Sequence, residues 1–316
     1  MMSYKRKLLW LLSLNAVLLI LIALGLLFAP GRTRPLAVRV SLPSQPEAIA
    51  SIELSGPVSI QLTRSGAQWT ALRSGQTLPA SASRIEAFLQ LLTSLGRLEL
   101  AARSRSSWES LGLGVSDSVS LRLARADGSS ISECILGSHA PAGGLAYLAF
   151  KNDERVFLVP GTLAGFLRAS DVSWLDTAVF GKLNPDSVET VRVNGSLPDG
   201  QGSIAQYDYS MSRLGQGWVN SSTKAELDAV QAESMLRQLC SLNAADFAPE
   251  EERAGPVILS VVLSLGDGRE LALRVEQALP DGRHPVTVAS IEGLRWYVSA
   301  WSLRDALKQL KDMAKP

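Results

Sequence analysis

The sequence predicts an α+β fold, with an N-terminal transmembrane helix followed by two repeated units that each form an antiparallel sheet with a packed helix. Three observations support this prediction. A long apolar run lies near the N-terminus, alternating apolar and polar residues between turn residues indicate short strands, and the same order of features occurs twice. A length of 316 residues fits one or two domains.

The apolar run extends from Leu8 to Phe28 and contains 21 uncharged residues. As a helix it would span roughly 31 Å, close to the ~30 Å hydrocarbon core of a bilayer. A cleavable signal peptide is the nearest alternative, but its apolar region is usually shorter and ends in small residues before a cleavage site. Here the run is longer, and the residues that follow Phe28 (Ala29 and Pro30) form no small-residue cleavage site. The sequence therefore favours an uncleaved signal anchor.

Basic residues at positions 5–7 precede this run, and the first 29 residues contain no acid. A short basic tail favours a cytoplasmic N-terminus, although Arg32, Arg34 and Arg39 after the run weaken the bias. We therefore predict a single-pass membrane protein, with its N-terminus inside and its main domain extracytoplasmic.

Four prolines between Pro30 and Pro46 predict an extended stalk. The first unit then begins with alternating residues from Ile52 to Leu62, which predict strands, and Trp69 lies in a third strand. Ser83-x-x-Glu86 predicts a capping box that opens a helix. Further strands follow, with Asp127-Gly128 as a hairpin turn. A short helix over residues 163–167 closes the unit.

The second unit repeats this order. The corresponding features are Val191-Arg192-Val193 for Ile52-Glu53-Leu54, Trp218 for Trp69, the helix residues Met235, Leu236, Leu239 and Leu242 for Phe88, Leu89, Leu92 and Leu95, Asp267-Gly268 for Asp127-Gly128, Trp296-Tyr297-Val298 for Phe157-Leu158-Val159, and Leu303 and Leu307 for Leu163 and Leu167. The helices are offset by 147 positions and the later features by about 140. This difference predicts a seven-residue deletion after the second helix, where the first unit has a loop rich in serine and arginine.

These boundaries divide the chain into five parts. They are a tail and transmembrane helix (1–29), a proline-rich stalk (30–46), a first α+β repeat (47–168), a junction (169–183) and a second α+β repeat (184–312).

Composition argues against several functional classes. The whole chain has a net charge of +1, so nothing indicates a nucleic-acid partner. The two cysteines, Cys134 and Cys240, form no metal-binding motif, and we interpret them as buried free thiols rather than as one disulfide. No cofactor motif occurs, so we predict no metal and no cofactor.

No catalytic motif occurs either. His139 and His284 are isolated histidines in turn-like contexts, for which a surface or turn role is the better interpretation. The acids Asp171 and Asp176 fall in the junction, and residues 250–252 are a run of glutamates that we expect to be solvated. Trp69 and Trp218 occupy matching places, which favours a role in the core over one in ligand stacking. We therefore predict that the protein is not an enzyme.

The spacing of these features resembles an uncharacterised bacterial envelope domain family whose members have one N-terminal membrane helix. The residues that carry the resemblance are Ile52-x-Leu54, Trp69, Leu92-x-x-Leu95, Leu111-Gly112-Leu113, Asp127-Gly128 and Val156-Phe157-Leu158-Val159. The resemblance covers roughly Pro46 to Leu310, but the second half has Ala254-Gly255-Pro256 where the first has its Leu-Gly-Leu. It implies a non-catalytic accessory role beside ABC transporter subunits and the gliding-motility-type auxiliary protein of such transporters.

Three functions follow from these observations, in decreasing order of support. The first is an extracytoplasmic accessory or scaffold protein, whose partner would be an ABC transporter permease or auxiliary protein. The second is a binding module for an envelope ligand, with a cleft at the repeat junction near Trp174 and Phe180. The third is a hydrolase assembled from distant residues.

Overall fold

The computed structural model describes residues 17–18, 37–40, 42–43 and 45–315, except 115, 142, 201–202, 216, 250–251 and 253. Apart from Val17 and Leu18, which are helical, the predicted transmembrane segment lies outside these residues. Within the described part of the chain, no helix is both long enough and apolar enough to cross a membrane. The fold is a mixed α+β fold with two antiparallel sheets, which confirms the predicted class at this level.

The first sheet has ten strands. In chain order they are β1 (Ala37–Arg39), β2 (Ser51–Ser55), β3 (Ile60–Ser65), β4 (Gln68–Arg73), β5 (Gln76–Pro79), β6 (Arg97–Ala102), β7 (Val119–Ala124), β8 (Ser130–Leu136), β9 (Leu145–Phe150) and β10 (Val156–Pro160). Their order across the sheet is β1-β6-β10-β9-β8-β7-β2-β3-β4-β5. The helices α1 (Ala82–Ser94) and α2 (Gly161–Arg168) accompany this sheet.

The second sheet has eight strands. They are β11 (Val188–Pro198), β12 (Ile204–Leu214), β13 (Gly217–Asn220), β14 (Asp246–Phe247), β15 (Val257–Leu265), β16 (Glu270–Glu276), β17 (Arg283–Val288) and β18 (Trp296–Ser299). Their order is β13-β12-β11-β15-β16-β17-β18-β14, and the helices α3 (Ala229–Cys240) and α4 (Ala300–Ala306) belong to this half.

The two sheets share one strand order. Strands β6-β10-β9-β8-β7-β2-β3-β4 correspond one by one to β14-β18-β17-β16-β15-β11-β12-β13. Register agrees as well: Ile52 pairs with Leu123 in the first sheet, and Val191 pairs with Leu263 in the second. Because each tryptophan lies opposite an arginine, Arg64 with Trp69 and Arg213 with Trp218, the match extends to the third strand. The outer limits of the two repeats stay a prediction.

Each unit has an equivalent glycine that no other residue replaces without strain, just after β2 in the first unit and within β11 in the second. Gly56 and Gly195 have φ angles of +127° and +129°. An added Cβ would lie 2.4 Å from the carbonyl oxygen of Ser118 at the first position and 2.2 Å from that of Ile258 at the second. Such contacts are repulsive, and positive φ is costly for residues with a Cβ. The two glycines therefore allow neighbouring strands to approach at equivalent points.

Three residues of the predicted stalk belong to the first sheet. Ala37–Arg39 forms its edge strand β1, which is antiparallel to β6, with Val38 opposite Leu98. Proline content predicted extended backbone here, and the backbone is extended, but β6 supplies hydrogen-bonding partners that the local sequence does not reveal.

The predicted capping box is wrong, because α1 already begins at Ala82 and Ser83 lies inside it. Ser81 precedes the helix, and its N–H donates to the carbonyl of Trp174 at 2.8 Å. A contact from the junction therefore sets the helix start. The buried face of α1 is Ile85, Phe88, Leu89 and Leu92, as the helical spacing predicts.

The loop after β6 forms a small additional core in the first unit. Trp108 and Leu113 pack there with Ala149 and Val156, and the Trp108 indole N–H donates to the carbonyl of Glu154 at 3.1 Å. This connection spans 103–118, whereas its counterpart spans only 248–256. The extra residues lie where the sequence predicts the seven-residue difference.

Candidate binding cleft between the two sheets

The junction segment, residues 169–183, makes backbone hydrogen bonds to both units. Asp176 N–H donates to the carbonyl of Pro79 at 2.9 Å, beside β5 of the first sheet. On the other side Val179 N–H donates to the carbonyl of Leu242, and Ala244 N–H donates to that of Thr177. Since the segment bonds to β5 of the first sheet and to the loop that leads into β14 of the second, it positions the two sheets relative to each other.

An ion-pair cluster centred on Arg73 crosses the same boundary. Its Nε donates to Asp171 of the junction at 2.6 Å, and its two terminal nitrogens donate to the Asp246 carboxylate at 2.5 and 3.2 Å. Hydrogen bonding to Asp246 raises the pKa of the guanidinium. All three side chains are partly buried, which strengthens the attraction relative to a fully solvated pair. Asp171 was expected in a solvated loop, and its actual role is to join the first unit to the junction.

Trp174 and Phe180, the residues predicted to contact a ligand or partner, lie in the hydrophobic core. Trp174 is 0% exposed and Phe180 is 6% exposed. The Trp174 ring packs edge-on against Phe88 at a centroid distance of 5.3 Å, and the Arg84 guanidinium lies 4.9 Å from its centroid. A ring covered on this scale offers no free face to a ligand. The junction is therefore filled where these two residues lie, because they complete one core shared by both units.

An open cleft lies beside the filled part of the junction, and residues of both sheets form its walls. Its volume is about 720 Å³. One wall comes from the β4–β5 hairpin and the other from β14, β17 and β18. The lining residues are Arg73, Ser74, Gly75, Gln76, Leu78, Asp246, Phe247, Pro249, Arg283 and Tyr297. Because both sheets contribute, the cleft exists only when the two units are assembled.

Arg283 and Tyr297 form the wall opposite the hairpin. The Arg283 guanidinium lies 4.4 Å from the centroid of the Tyr297 ring, in cation–π contact. Its Nε donates to Asp281 at 2.8 Å, and this hydrogen bond raises the pKa of Arg283. The Tyr297 hydroxyl donates to the Glu252 carboxylate. Glu252 was predicted to be solvated, and this hydrogen bond ties it to the cleft wall.

A buried polar network lies behind this wall. The Glu276 carboxylate, 4% exposed, accepts from the Arg295 guanidinium and from the Gly255 N–H, both at 2.6 Å. His284 is 1% exposed, and its Nδ1 lies 2.8 Å from the Glu276 carbonyl oxygen. The prediction of a surface or turn role for His284 is wrong, because it lies inside β17. Since these groups already have partners in the protein, we interpret the network as structural support.

The remaining candidate residues stand apart from the cleft. His139 is exposed, with Nδ1 3.0 Å from the carbonyl oxygen of Ser110. Cys134 and Cys240 are free and buried, and burial raises the pKa of the two thiols to about 12 and about 11. Among the described residues, no group of three histidine, cysteine or acidic side chains is arranged to hold a metal ion.

A second cavity, of about 430 Å³, lies on the outer face of the first sheet. Most of its charged groups are paired: Arg122 lies 3.7 Å from Glu53 and 3.6 Å from Glu133, which also bonds Lys151 at 2.6 Å. It involves one unit only. The cleft between the sheets is therefore the stronger candidate.

Comparison with known families gives one match. A domain of unknown function, DUF4340, matches residues 46–257. The chain belongs to this family. The match begins at the end of the predicted stalk and covers the first sheet except β1, the junction and the start of the second sheet. It therefore includes the whole wall of the cleft that the β4–β5 hairpin forms. Neither the curated proteins nor the solved structures gave a match.

Sequence reasoning missed every residue of the cleft. Arg73 is 98 positions from Asp171 and 173 from Asp246, so no local spacing reveals their contact. The sequence does contain an Asp-Gly-Arg turn twice, ending in Arg269 and in Arg283, and in both the arginine Nε donates to the aspartate of the turn. The motif therefore indicates a turn and not a binding site. What distinguishes Arg283 is its position in the cleft wall, which the motif does not reveal.

Proposed function

We propose that this DUF4340 protein is a membrane-anchored, extracytoplasmic accessory or scaffold protein without catalytic activity. It serves as an auxiliary component of an ABC-type transporter or of a gliding-motility-like envelope complex, and a transporter permease or auxiliary protein is its partner. One observation carries the proposal: two sheets are joined through the junction and Arg73 into a common frame around an open cleft. A frame of this kind presents a preformed surface at low entropic cost on binding.

The short connection to the proposed anchor supports this role. Only eight residues, 29–36, lie between Phe28 and Ala37, the first residue of β1, so nine Cα–Cα steps connect the two. Even fully extended, they reach at most about 32 Å. An anchor at Leu8–Phe28 would hold the first sheet within that distance of the bilayer, where a membrane partner is accessible.

Affinity purification of the full chain from gently solubilised membranes tests the proposal. We expect the wild type to recover a membrane transporter subunit or its auxiliary protein. Arg283→Ala should reduce that recovery several-fold, because it removes the guanidinium that packs on the Tyr297 ring and forms part of the cleft wall. The matched control is Arg269→Ala, which removes the same group from the same kind of turn at an exposed position outside the cleft.

Two results would count against the proposal. One is recovery of the protein alone in several detergents. The other is an equal loss of partner with both arginine variants, which would show that the cleft has no special part in the interaction.

A binding module for an envelope ligand is the second candidate, and the cleft volume favours it. A volume of about 720 Å³ is within the range of small-molecule sites. The mixed lining, with Tyr297 and Leu78 beside Arg283 and Gln76, suits a ligand with apolar and polar parts. Partner recovery that survives Arg283→Ala, together with a small molecule retained by the wild type alone, would favour this candidate over the first.

A further inference from the structure

The free edge of β5 has main-chain groups that point away from its own sheet. Ala80 N–H donates to the carbonyl of Trp69 on β4, so alternate residues of β5 face that neighbour. The groups of opposite parity face outward: the Pro79 carbonyl accepts from Asp176, and Ser81 N–H donates to Trp174. Thr77 has the same parity as Pro79 and is exposed. Its N–H and C=O therefore point to the open edge.

The chain itself shows what this edge binds. Beside Pro79 and Ala80 the edge is covered by the junction, where Leu175 forms an antiparallel bridge with Ala80. The junction then turns away, since Ala178 bridges Asn243 on the opposite side. An extended segment thus occupies one end of the edge, and the cleft begins at the other end, at Gln76 and Leu78.

The cleft walls indicate the side chains that would fit. Leu78, Phe247 and Tyr297 line the cleft but are only 2%, 4% and 7% exposed, so they offer little apolar surface. Both arginines of the lining already have carboxylate partners, Arg73 with Asp171 and Asp246 and Arg283 with Asp281. Because these charges are compensated, the site has no strong preference for an acidic or a basic ligand. A neutral extended strand, held mainly through its main chain, is complementary to it.

We propose that the cleft binds an extended, uncharged peptide segment of a partner protein, which adds to the free edge of β5 through the main chain of Thr77. In this mode the main-chain hydrogen bonds provide the affinity. This inference rests on the proposed function, in which the protein binds a membrane partner, and it specifies the kind of partner segment that the cleft would bind.

Fluorescein-labelled octapeptides that alternate threonine with valine, leucine or phenylalanine are the probes, titrated against the full chain in detergent and followed by fluorescence anisotropy. We expect at least one to bind the wild type. Thr77→Pro should weaken that binding at least tenfold, because it removes the outward N–H while leaving the inward pairing with β4 intact. Thr77→Val, the matched control, keeps the N–H and should bind within about twofold of wild type.

Pro79 already occupies an outward-facing position of this strand, so the fold tolerates proline there. If Thr77→Pro nevertheless fails to fold, the same peptides with alternate amides N-methylated test the proposal on the wild type, and methylation on the bonding edge should abolish binding. The proposal is overturned if none of the peptides binds, if Thr77→Pro binds as well as Thr77→Val, or if methylation has no effect. Loss of the membrane partner in Arg283→Ala but not in Thr77→Pro would leave the proposed function standing and reject this inference alone.

Discussion

At the scale of single residues, the two units require glycine at equivalent positions. Gly56 and Gly195 share a φ angle near +128° and a close approach to a neighbouring backbone carbonyl. The sequence contains both glycines, but their equivalence becomes informative only with the backbone angles. Gly56 follows the end of β2, whereas Gly195 lies within the continuous strand β11.

We expect Gly56→Ala and Gly195→Ala each to destabilise the protein, by about 1–3 kcal/mol from backbone strain alone and more from the contact with the carbonyl oxygen. Gly165→Ala is the matched control, because this glycine lies in α2 with open space around it. The control should be neutral or stabilising by up to about 1 kcal/mol. Urea unfolding measures all three, and equal effects at the three positions would contradict the account.

The two Asp-Gly hairpins make a pH-dependent contribution. Hydrogen bonding from Ser129 lowers the pKa of Asp127, and the backbone N–H of Arg269 lowers that of Asp267. A carboxyl whose pKa is lowered by folding adds stability above its unfolded pKa, about 3.9, and loses it as pH falls through the folded value.

We therefore expect the double variant Asp127→Asn, Asp267→Asn to keep most of its stability at neutral pH, since asparagine retains the acceptor oxygen. Between pH 6 and about pH 3 its melting temperature should fall less than that of the wild type. Thermal melts across this range measure the difference. Parallel curves for the two proteins would show that the turns do not contribute to acid sensitivity.

The buried thiols should be inert in the folded state. Burial raises the pKa of Cys134 to about 12 and that of Cys240 to about 11, and the thiolate is the reactive form. We expect a disulfide reagent at pH 8 to label neither cysteine until denaturant is added, and then to label both. Rapid labelling of the native protein would contradict the burial of these side chains.

At the scale of elements, the sequence predicted those strands and helices whose own residues carry a clear apolar period. Strands β2, β3, β7 and β8 and the buried faces of α1 and α3 are of this kind. Strands β1, β5, β6 and β14 were not predicted, and three of them, β1, β5 and β14, are edge strands. Edge strands are short and half exposed, so their pairing depends on partners distant in sequence.

The junction shows the same limit more strongly. Its acids and aromatic residues were read as a loop with a possible contact surface. In the structure it bonds to β5 and to the loop before β14, accepts a hydrogen bond from Ser81 just before α1, and contributes Trp174 to the core. None of these contacts produces a periodic sequence pattern, because each is made by a single residue with a partner distant in sequence.

At the scale of the whole molecule, two sheets of one topology share a single hydrophobic core and are joined further by Arg73. The repeat of features in the sequence predicted that two similar units exist. It did not predict how they lie relative to each other, and the cleft depends on that arrangement. The candidate site was therefore beyond sequence reasoning, although the units that form it were not.

Native-state hydrogen exchange on the full chain, analysed by mass spectrometry for wild type and Arg73→Ala, tests this arrangement most directly. If the sheets form one cooperative unit, peptides from β2 and from β11 should open with the same free energy in the wild type. Arg73→Ala should lower both values together, by about 1–3 kcal/mol, because it leaves Asp171 and Asp246 without their charged partner. Two different opening free energies in the wild type, or a loss confined to the first sheet in the variant, would contradict the account.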